Sequence, residues 1–109
     1  MSYKNINPPE AKKELDRNTL FIDIREDWER ELGYIPRSKW IPLAQLSERH
    51  GELAGEKAVI YCEHGIRSSH VLSILFDMGY SNLINLEGGF DAWKQQGFPD
   101  GRKDGGNGR

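Results

Sequence analysis

One stretch of this sequence has the makings of a reactive centre. Cys62 is the single cysteine in 109 residues, and Glu63-His64-Gly65-Ile66-Arg67-Ser68 follow it. A cysteine is a nucleophile as its thiolate, which is favoured by backbone N–H groups, a helix N-terminus or a nearby cation. This segment offers all three. It is short and contains Gly65, so it can curl with its N–H groups turned inward as an anion-binding concavity. The helix that follows points the positive end of its dipole at the same spot. Arg67 adds a permanent charge. The same cradle would hold an anionic substrate and stabilise charge that develops during transfer. Taken alone, a cysteine at the end of an apolar strand is commonly a small apolar filler. Glu63, His64 and Arg67 are poor neighbours for an inert core residue, and they favour the chemical reading.

The flanking chain says what must hold this centre. Lys57-Ala58-Val59-Ile60-Tyr61-Cys62 reads as a strand buried on both faces, and Cys62 ends it. Arg67 to Met78 reads as the strongest helix: Val71, Leu72, Leu75 and Phe76 form one stripe, and Gly79 suits a C-cap. Residues 19–24 read as a further buried strand, and 82–86 as another strand. Residues 39–43 read as a short edge strand, because Pro42 cannot donate to a ladder. Asn7-Pro8-Pro9-Glu10 is a helix start with a cap, a proline at the first position and a glutamate at the third. That helix has Ala11 and Leu15 on one face and is expected to end near Arg17-Asn18. Residues 25–34 read as a charged loop with a helical turn, and 43–54 as weakly helical. Gly88-Gly89 opens a last helix with Phe90 and Trp93 on one face, and Gly97 closes it. Strands alternating with helices give the α/β class with a largely parallel sheet. Ligand sites of such sheets lie outside the carboxyl ends of the strands, which is where Cys62 stands.

The bulk composition sets limits. The length fits one domain, assigned to residues 1–99. Residues 100–109 hold four glycines and no apolar side chain, and are expected to form a disordered Gly-rich tail. Apolar residues make up 37% and charged residues 29%, a soluble globular balance. The net charge of -2 gives no basic field for nucleic acid or a membrane surface. The apolar runs are too short to span a bilayer, and the first ten residues lack the apolar core of a secretory signal. One cysteine allows no intrachain disulfide and argues against a Cys-based metal cluster. A free thiol suits a reducing compartment, so a cytoplasmic location is expected.

Four segments taken in order resemble the single-domain rhodanese family, from about Asn5 to Pro99. Phe21-Ile22-Asp23-Ile24-Arg25-Glu26 resembles the family's Asp-x-Arg strand end. Glu31-Leu32-Gly33-Tyr34-Ile35-Pro36 is similar to its Glu…Gly-His-Ile-Pro segment, with Tyr34 in place of His and Arg37-Ser38 in place of Gly-Ala. Tyr61 to Ser68 resembles its active-site loop. Leu86-Glu87-Gly88-Gly89-Phe90 with Trp93, Gly97 and Pro99 resembles its C-terminal pattern. The resemblance implies a five-stranded, mostly parallel sheet with helices on both faces. It implies a sulfurtransferase in which Cys62 takes the outer sulfur of a donor such as thiosulfate, becomes a persulfide, and passes that sulfur to a thiol or cyanide. No metal or organic cofactor is implied. The N–H groups of residues 63–67 would hold the persulfide, so Glu63, His64, Gly65 and Ile66, with Ser68, are assigned to substrate binding. Arg67 would orient the loop or the donor. Asp23 and Arg25 would brace the site, and Gly88 and Gly89 would let their backbone approach the loop.

Several of these residues have plainer readings. His64 suggests a Cys–His base pair, or a loop residue facing solvent or donor. His50 and His70 read as surface residues. Asp23 serves the site or caps the turn after its strand. Arg25 touches substrate or pairs with Glu26, Glu29 or Glu31, and the charge run from Arg25 to Glu31 reads as a solvated face. Ser68 bonds the loop or starts the helix. Trp28, Trp40 and Trp93 read as core and edge packing. Glu63 is expected to oppose the cradle's positive potential, which would favour a protein or low-molecular-weight persulfide over thiosulfate as donor. One alternative function is a sulfur-relay or partner-binding domain without turnover, acting with a protein sulfur partner. Another is a cysteine phosphatase or arsenate reductase, which uses a similar cradle one residue longer than the one from Cys62 to Arg67.

Overall fold

The computed structural model describes residues 3–102. The elements run β1 (Lys4–Ile6), α1 (Pro8–Asp16), β2 (Leu20–Asp23), α2 (Asp27–Glu31), β3 (Lys39–Trp40), α3 (Leu43–Arg49), a 3-10 turn (His50–Leu53), β4 (Ala58–Tyr61), α4 (Ile66–Asp77), β5 (Leu83–Leu86) and α5 (Gly89–Gln95). Helix α1 starts as its sequence predicts. The Asn7 side chain accepts from the Glu10 N–H at 2.9 Å, and the Glu10 carboxylate accepts from the Asn7 N–H at 3.1 Å. This reciprocal capping box satisfies two donors that the first turn would otherwise leave open.

The five strands form one parallel sheet in the order β1-β5-β4-β2-β3. Alternation along β4 divides the core. Ala58, Ile60 and Cys62 face α3 and α4, among Leu46, Val71, Leu72 and Leu75. Val59 and Tyr61 face α1 and α5, among Ala11, Leu15, Phe90 and Trp93. All four residues of β4 are fully buried, and each large apolar one contributes about 1.5–3 kcal/mol relative to exposure. Strand β4 is therefore a fixed rail from which Cys62 emerges at the carboxyl edge. Among the described residues no helix is long and apolar enough to cross a membrane.

Four features differ from the sequence reading. Strand β1 was not foreseen, because Ile6 is its one buried residue. It holds through its pairing with β5 and the bond from the Glu87 N–H to the Ile6 carbonyl at 2.9 Å. The charge run from Arg25 to Glu31 is not simply a solvated face: Arg25 is 1% exposed and Glu29 7%. Trp28 is 61% exposed and does not pack in the core, although Trp93 does and Trp40 lies at the edge. Residues 100–102, expected in a disordered tail, are tied to the domain by hydrogen bonds, with Gly101 buried. The Gly101 N–H donates to the Tyr34 carbonyl at 2.7 Å, and the Asp100 carboxylate accepts from the Tyr34 N–H at 3.3 Å. The rest of that stretch lies outside the described residues.

Candidate active site

Cys62 is 1% exposed and its sulfur sits inside a closed loop. The N–H groups of Gly65 and Ser68 donate to Sγ at 3.2 and 3.3 Å. Gly65 is the N-cap of α4 with φ +92°, so the chain turns sharply there and brings its own N–H and that of Ser68 in the first turn onto the sulfur, while the expected donors at residues 63, 64, 66 and 67 make no bond to it. The Ser68 hydroxyl lies 3.4 Å from Sγ and donates to Asn85 Oδ1 at 2.6 Å. Asn85 in turn donates to the Asn5 side chain at 2.9 Å. A hydroxyl has one proton, so Ser68 serves either Asn85 or the sulfur, and negative charge on Sγ draws that proton toward it. Asn85 escaped the sequence reading. Its one signal is an amide in the middle of an otherwise apolar strand, where a buried polar group requires a partner.

The loop is clamped from behind by the turn before α5. The Phe90 N–H donates to the Cys62 carbonyl at 2.8 Å and the Asp91 N–H to the Glu63 carbonyl at 3.0 Å. Gly88 lies against Gly65: a Cβ on Gly65 would meet the Gly88 nitrogen at 3.1 Å. Gly89 has φ +64°, and a Cβ there would lie 2.5 Å from the Cys62 carbonyl oxygen and from the Glu63 carbonyl carbon. Gly89→Ala is therefore expected to destabilise the domain by about 2 kcal/mol or more and to slow sulfur chemistry by displacing the loop. Gly97→Ala provides the control. It too has positive φ, +75°, but a Cβ there meets nothing within 4 Å. Denaturant midpoints of the two variants separate the clash from the backbone term, and equal midpoints would contradict it.

Arg25 ties β2 to the loop. Its guanidinium donates to both Asp23 carboxylate oxygens at 2.9 Å, to Glu63 at 3.0 Å and to the Gly33 carbonyl at 2.6 Å. It also lies over the Phe90 ring, 4.6 Å from the centroid. Burial works to lower the Arg25 pKa, but the bonds to Asp23 outweigh it and the net shift is upward. Asp23 is fully buried and also pairs with Arg30 at 3.0 Å. So Asp23 does more than cap a turn, and Arg25 pairs with Asp23 and Glu63, which was not foreseen. Glu63 does not stand as a bare charge beside the sulfur. Its carboxylate turns to Arg25 and to Lys94, 3.8 Å away, so the opposition to an anionic donor expected from the sequence is largely offset.

Arg67 is clamped to Glu29 by two bonds of 2.9 and 2.7 Å. Arg67 beside it holds the Glu29 carboxyl below its usual range, and the Glu29 bond raises Arg67. The loop's cation is thus held by α2, in a bidentate geometry that fixes its direction. His64 is exposed and Ile66 is 77% exposed at the rim. His70 is exposed, whereas the His50 ring is half-buried and bonded to the Tyr80 hydroxyl at 2.7 Å. For a metal, Glu63, His64 and Asp91 offer ligand atoms within 4.8 Å of one another. Glu63 is already committed to Arg25 and Lys94, and Asp91 accepts from Gln95 at 2.9 Å.

A family model described as the rhodanese-like domain matches residues 7–96. The chain belongs to the rhodanese-like family. It is 35% identical over 83 residues to a sulfurtransferase of Allochromatium vinosum, a match that covers 75% of this chain and 78% of that protein. It is 29% identical over 101 residues to the thiosulfate sulfurtransferase GlpE of Haemophilus influenzae, covering 91% and 95%. The YqhL protein of Bacillus subtilis is 38% identical over 78 residues, which are 71% of this chain, and the chain spans 62% of that protein's length. A crystal structure of a rhodanese-related protein from Thermoplasma volcanium superposes with a TM-score of 0.83 at 30% identity, covering 90% of this chain and 97% of that one.

Within the rhodanese-like fold, the two sequence departures have local explanations. Tyr34 stacks under the Arg30 guanidinium, 4.1 Å from the ring centroid. Arg37 occupies a left-handed conformation with φ +65°, where a glycine would be free of Cβ strain. Its guanidinium donates to the Leu15 carbonyl at 3.0 Å, and such a bond offsets about 1 kcal/mol of the strain. Ser38 supplies a partner for the Tyr61 hydroxyl, 2.9 Å away. Burial pushes the Tyr61 pKa up, so this hydroxyl stays neutral and its hydrogen bonds to Ser38 and the Ile35 N–H hold β4 to the segment before β3.

Proposed function

We propose that this protein is a sulfurtransferase that carries sulfane sulfur on Cys62. The observation that supports this most is the pair of N–H donors from Gly65 and Ser68 on a cysteine sulfur at the carboxyl end of β4. The Cys62 thiolate attacks the outer sulfur of thiosulfate. The S–S bond of the donor breaks, sulfite leaves with the electron pair, and Cys62 becomes a persulfide. An acceptor thiolate or cyanide then attacks the outer sulfur, and Cys62 departs as thiolate. The cradle donors favour sulfur anions at Sγ before loading and at departure. Gly65 and Ser68 act through their N–H groups, Glu63 as the link to Arg25, and His64 and Ile66 as the rim that donor and acceptor pass. Gly88 and Gly89 fix the loop. The relatives named as sulfurtransferases support the reaction class, and GlpE supports thiosulfate as donor. A cytoplasmic setting suits the free thiol.

Arg67, its direction fixed by Glu29, orients the loop or the donor. Arg67→Ala is expected to lower kcat/KM for thiosulfate by about tenfold or more, mainly through KM, with Arg67→Lys recovering part of the loss. Steady-state transfer from thiosulfate to cyanide checks this, and unchanged kinetics would remove Arg67 from the donor site. The exposed Ile66 beside a nearly closed sulfur favours a second reading, a relay that takes sulfur from a protein partner. Absence of turnover with thiosulfate, together with rapid loading from a protein persulfide, would select the relay. Cys62-dependent hydrolysis of a phosphotyrosine mimic would contradict both.

A further inference from the structure

A chain of polar side chains runs from the outer strand β1 to the reactive sulfur. Asn85 stands in β5 among Leu83, Ile84 and Leu86, and is 4% exposed. Ser68, in the first turn of α4, is fully buried. The Asn85 amide nitrogen donates to Asn5 Oδ1 at 2.9 Å, which leaves Asn85 Oδ1 to accept from the Ser68 hydroxyl at 2.6 Å. The same hydroxyl lies 3.4 Å from Cys62 Sγ. Apolar packing of β5 gives no reason for an amide here, and burying one costs free energy unless it is bonded. The amide and the sulfur therefore compete for a single proton.

We propose that Asn85 is a positioning residue for sulfur transfer, which holds the Ser68 hydroxyl proton while Sγ is uncharged and yields it when Sγ is a thiolate. The role in transfer rests on Cys62 carrying sulfur. In loading, the thiolate attacks the outer sulfur of the donor, the donor S–S bond breaks, and sulfite leaves with the electron pair. The negative charge then sits on the outer sulfur of the persulfide and Sγ is neutral, so the hydroxyl turns from Sγ to Asn85 Oδ1. In discharge, the acceptor takes the outer sulfur, the electron pair of the Cys62 S–S bond returns to Sγ, and the hydroxyl turns back. It rotates throughout and never loses its proton. Turning toward the thiolate forfeits the Asn85 bond. Asn85 thus weakens the hold on the thiolate and biases Cys62 toward the loaded state.

Asn85→Leu removes the rival acceptor, and the exposed Asn5 can turn to water. Asn85→Val makes the same removal with a smaller, strand-favouring side chain if leucine is not accommodated. Loading from thiosulfate and discharge to cyanide are followed in single turnovers at alkaline pH, so that thiol protonation does not intervene. Loading should slow and discharge should quicken, raising the ratio of their rate constants by about threefold to tenfold, the range of one net hydrogen bond. A loosened loop would slow both steps. In Ser68→Ala, which has no hydroxyl to share, adding Asn85→Leu should leave the ratio unchanged. A ratio unmoved by Asn85→Leu, or moved equally in the Ser68→Ala background, would overturn the assignment. A second arm needs no sulfur. Iodoacetamide should alkylate unloaded Cys62 about twofold to threefold faster in Asn85→Leu at mildly acidic pH, because the gain in thiolate exceeds the loss of nucleophilicity. Arg25, Glu63, His64 and Arg67, the charged groups around the loop, are the same in both proteins. Equal alkylation rates would overturn the proposal even if Cys62 loads sulfur. Failure to load from any donor, with alkylation still faster in Asn85→Leu, would instead overturn the sulfur reading and leave the hold on the Ser68 proton standing.

Discussion

Cys62→Ser is expected to lower transfer from thiosulfate to cyanide by on the order of a thousandfold or more while the fold survives. The two halves of this expectation have separate physical grounds. A hydroxyl is far less ionised than a thiol and does not form a stable persulfide-like adduct, so the covalent step is lost outright. The fold loses little because one atom changes. Serine Oγ can accept the same bonds that Sγ accepts from the Gly65 and Ser68 N–H groups, and the buried packing of β4 continues through Ile60. A thermal midpoint within a few degrees of the parent checks the second half. A variant that still turned over at a tenth of the parent rate would place the nucleophile elsewhere.

Arg25→Met is expected to destabilise the domain by about 3–5 kcal/mol, which is a large fraction of the stability of a domain this size. Arg25 is 1% exposed and Asp23 fully buried. Removing the guanidinium leaves Asp23 with Arg30 and the backbone N–H of residue 25, and it strips Glu63 and the Gly33 carbonyl of their buried partner. Methionine restores volume against Phe90 but no charge. Much of the loss is the burden of a buried carboxylate that has lost its bidentate partner, so Asp23→Asn added to Arg25→Met should recover part of it. Urea denaturation of the single and double variants measures both terms. A single variant within about 1 kcal/mol of the parent would contradict the view that Arg25 joins the sheet to the loop.

Much of this architecture was legible because local signals agreed with global packing. Asn7 and Glu10 announced α1, and mostly apolar runs announced β2, β4 and β5. The position of Cys62 at the end of such a run, before a glycine and a helix, located the cradle. The missed parts share a cause: their side chains are polar, and their burial depends on partners distant in sequence. Arg25 and Glu29 sit in a run that pattern alone assigns to solvent, and they turn inward because Asp23, Glu63 and Arg67 meet them there. Asn85 is buried because Ser68 and Asn5 converge on it. Strand β1 has one buried residue and owes its existence to the neighbouring strand. Trp28 failed in the opposite sense, since an aromatic residue was assumed to need the core and instead lines a surface pocket.

The central claim is that Cys62 carries sulfur, and intact mass after brief incubation with thiosulfate tests it most directly. The account predicts a gain of one sulfur atom, removed by cyanide or a thiol and absent from Cys62→Ser. A parent protein whose mass is unchanged by thiosulfate and by persulfide donors alike, or a gain that persists in Cys62→Ser, would contradict it.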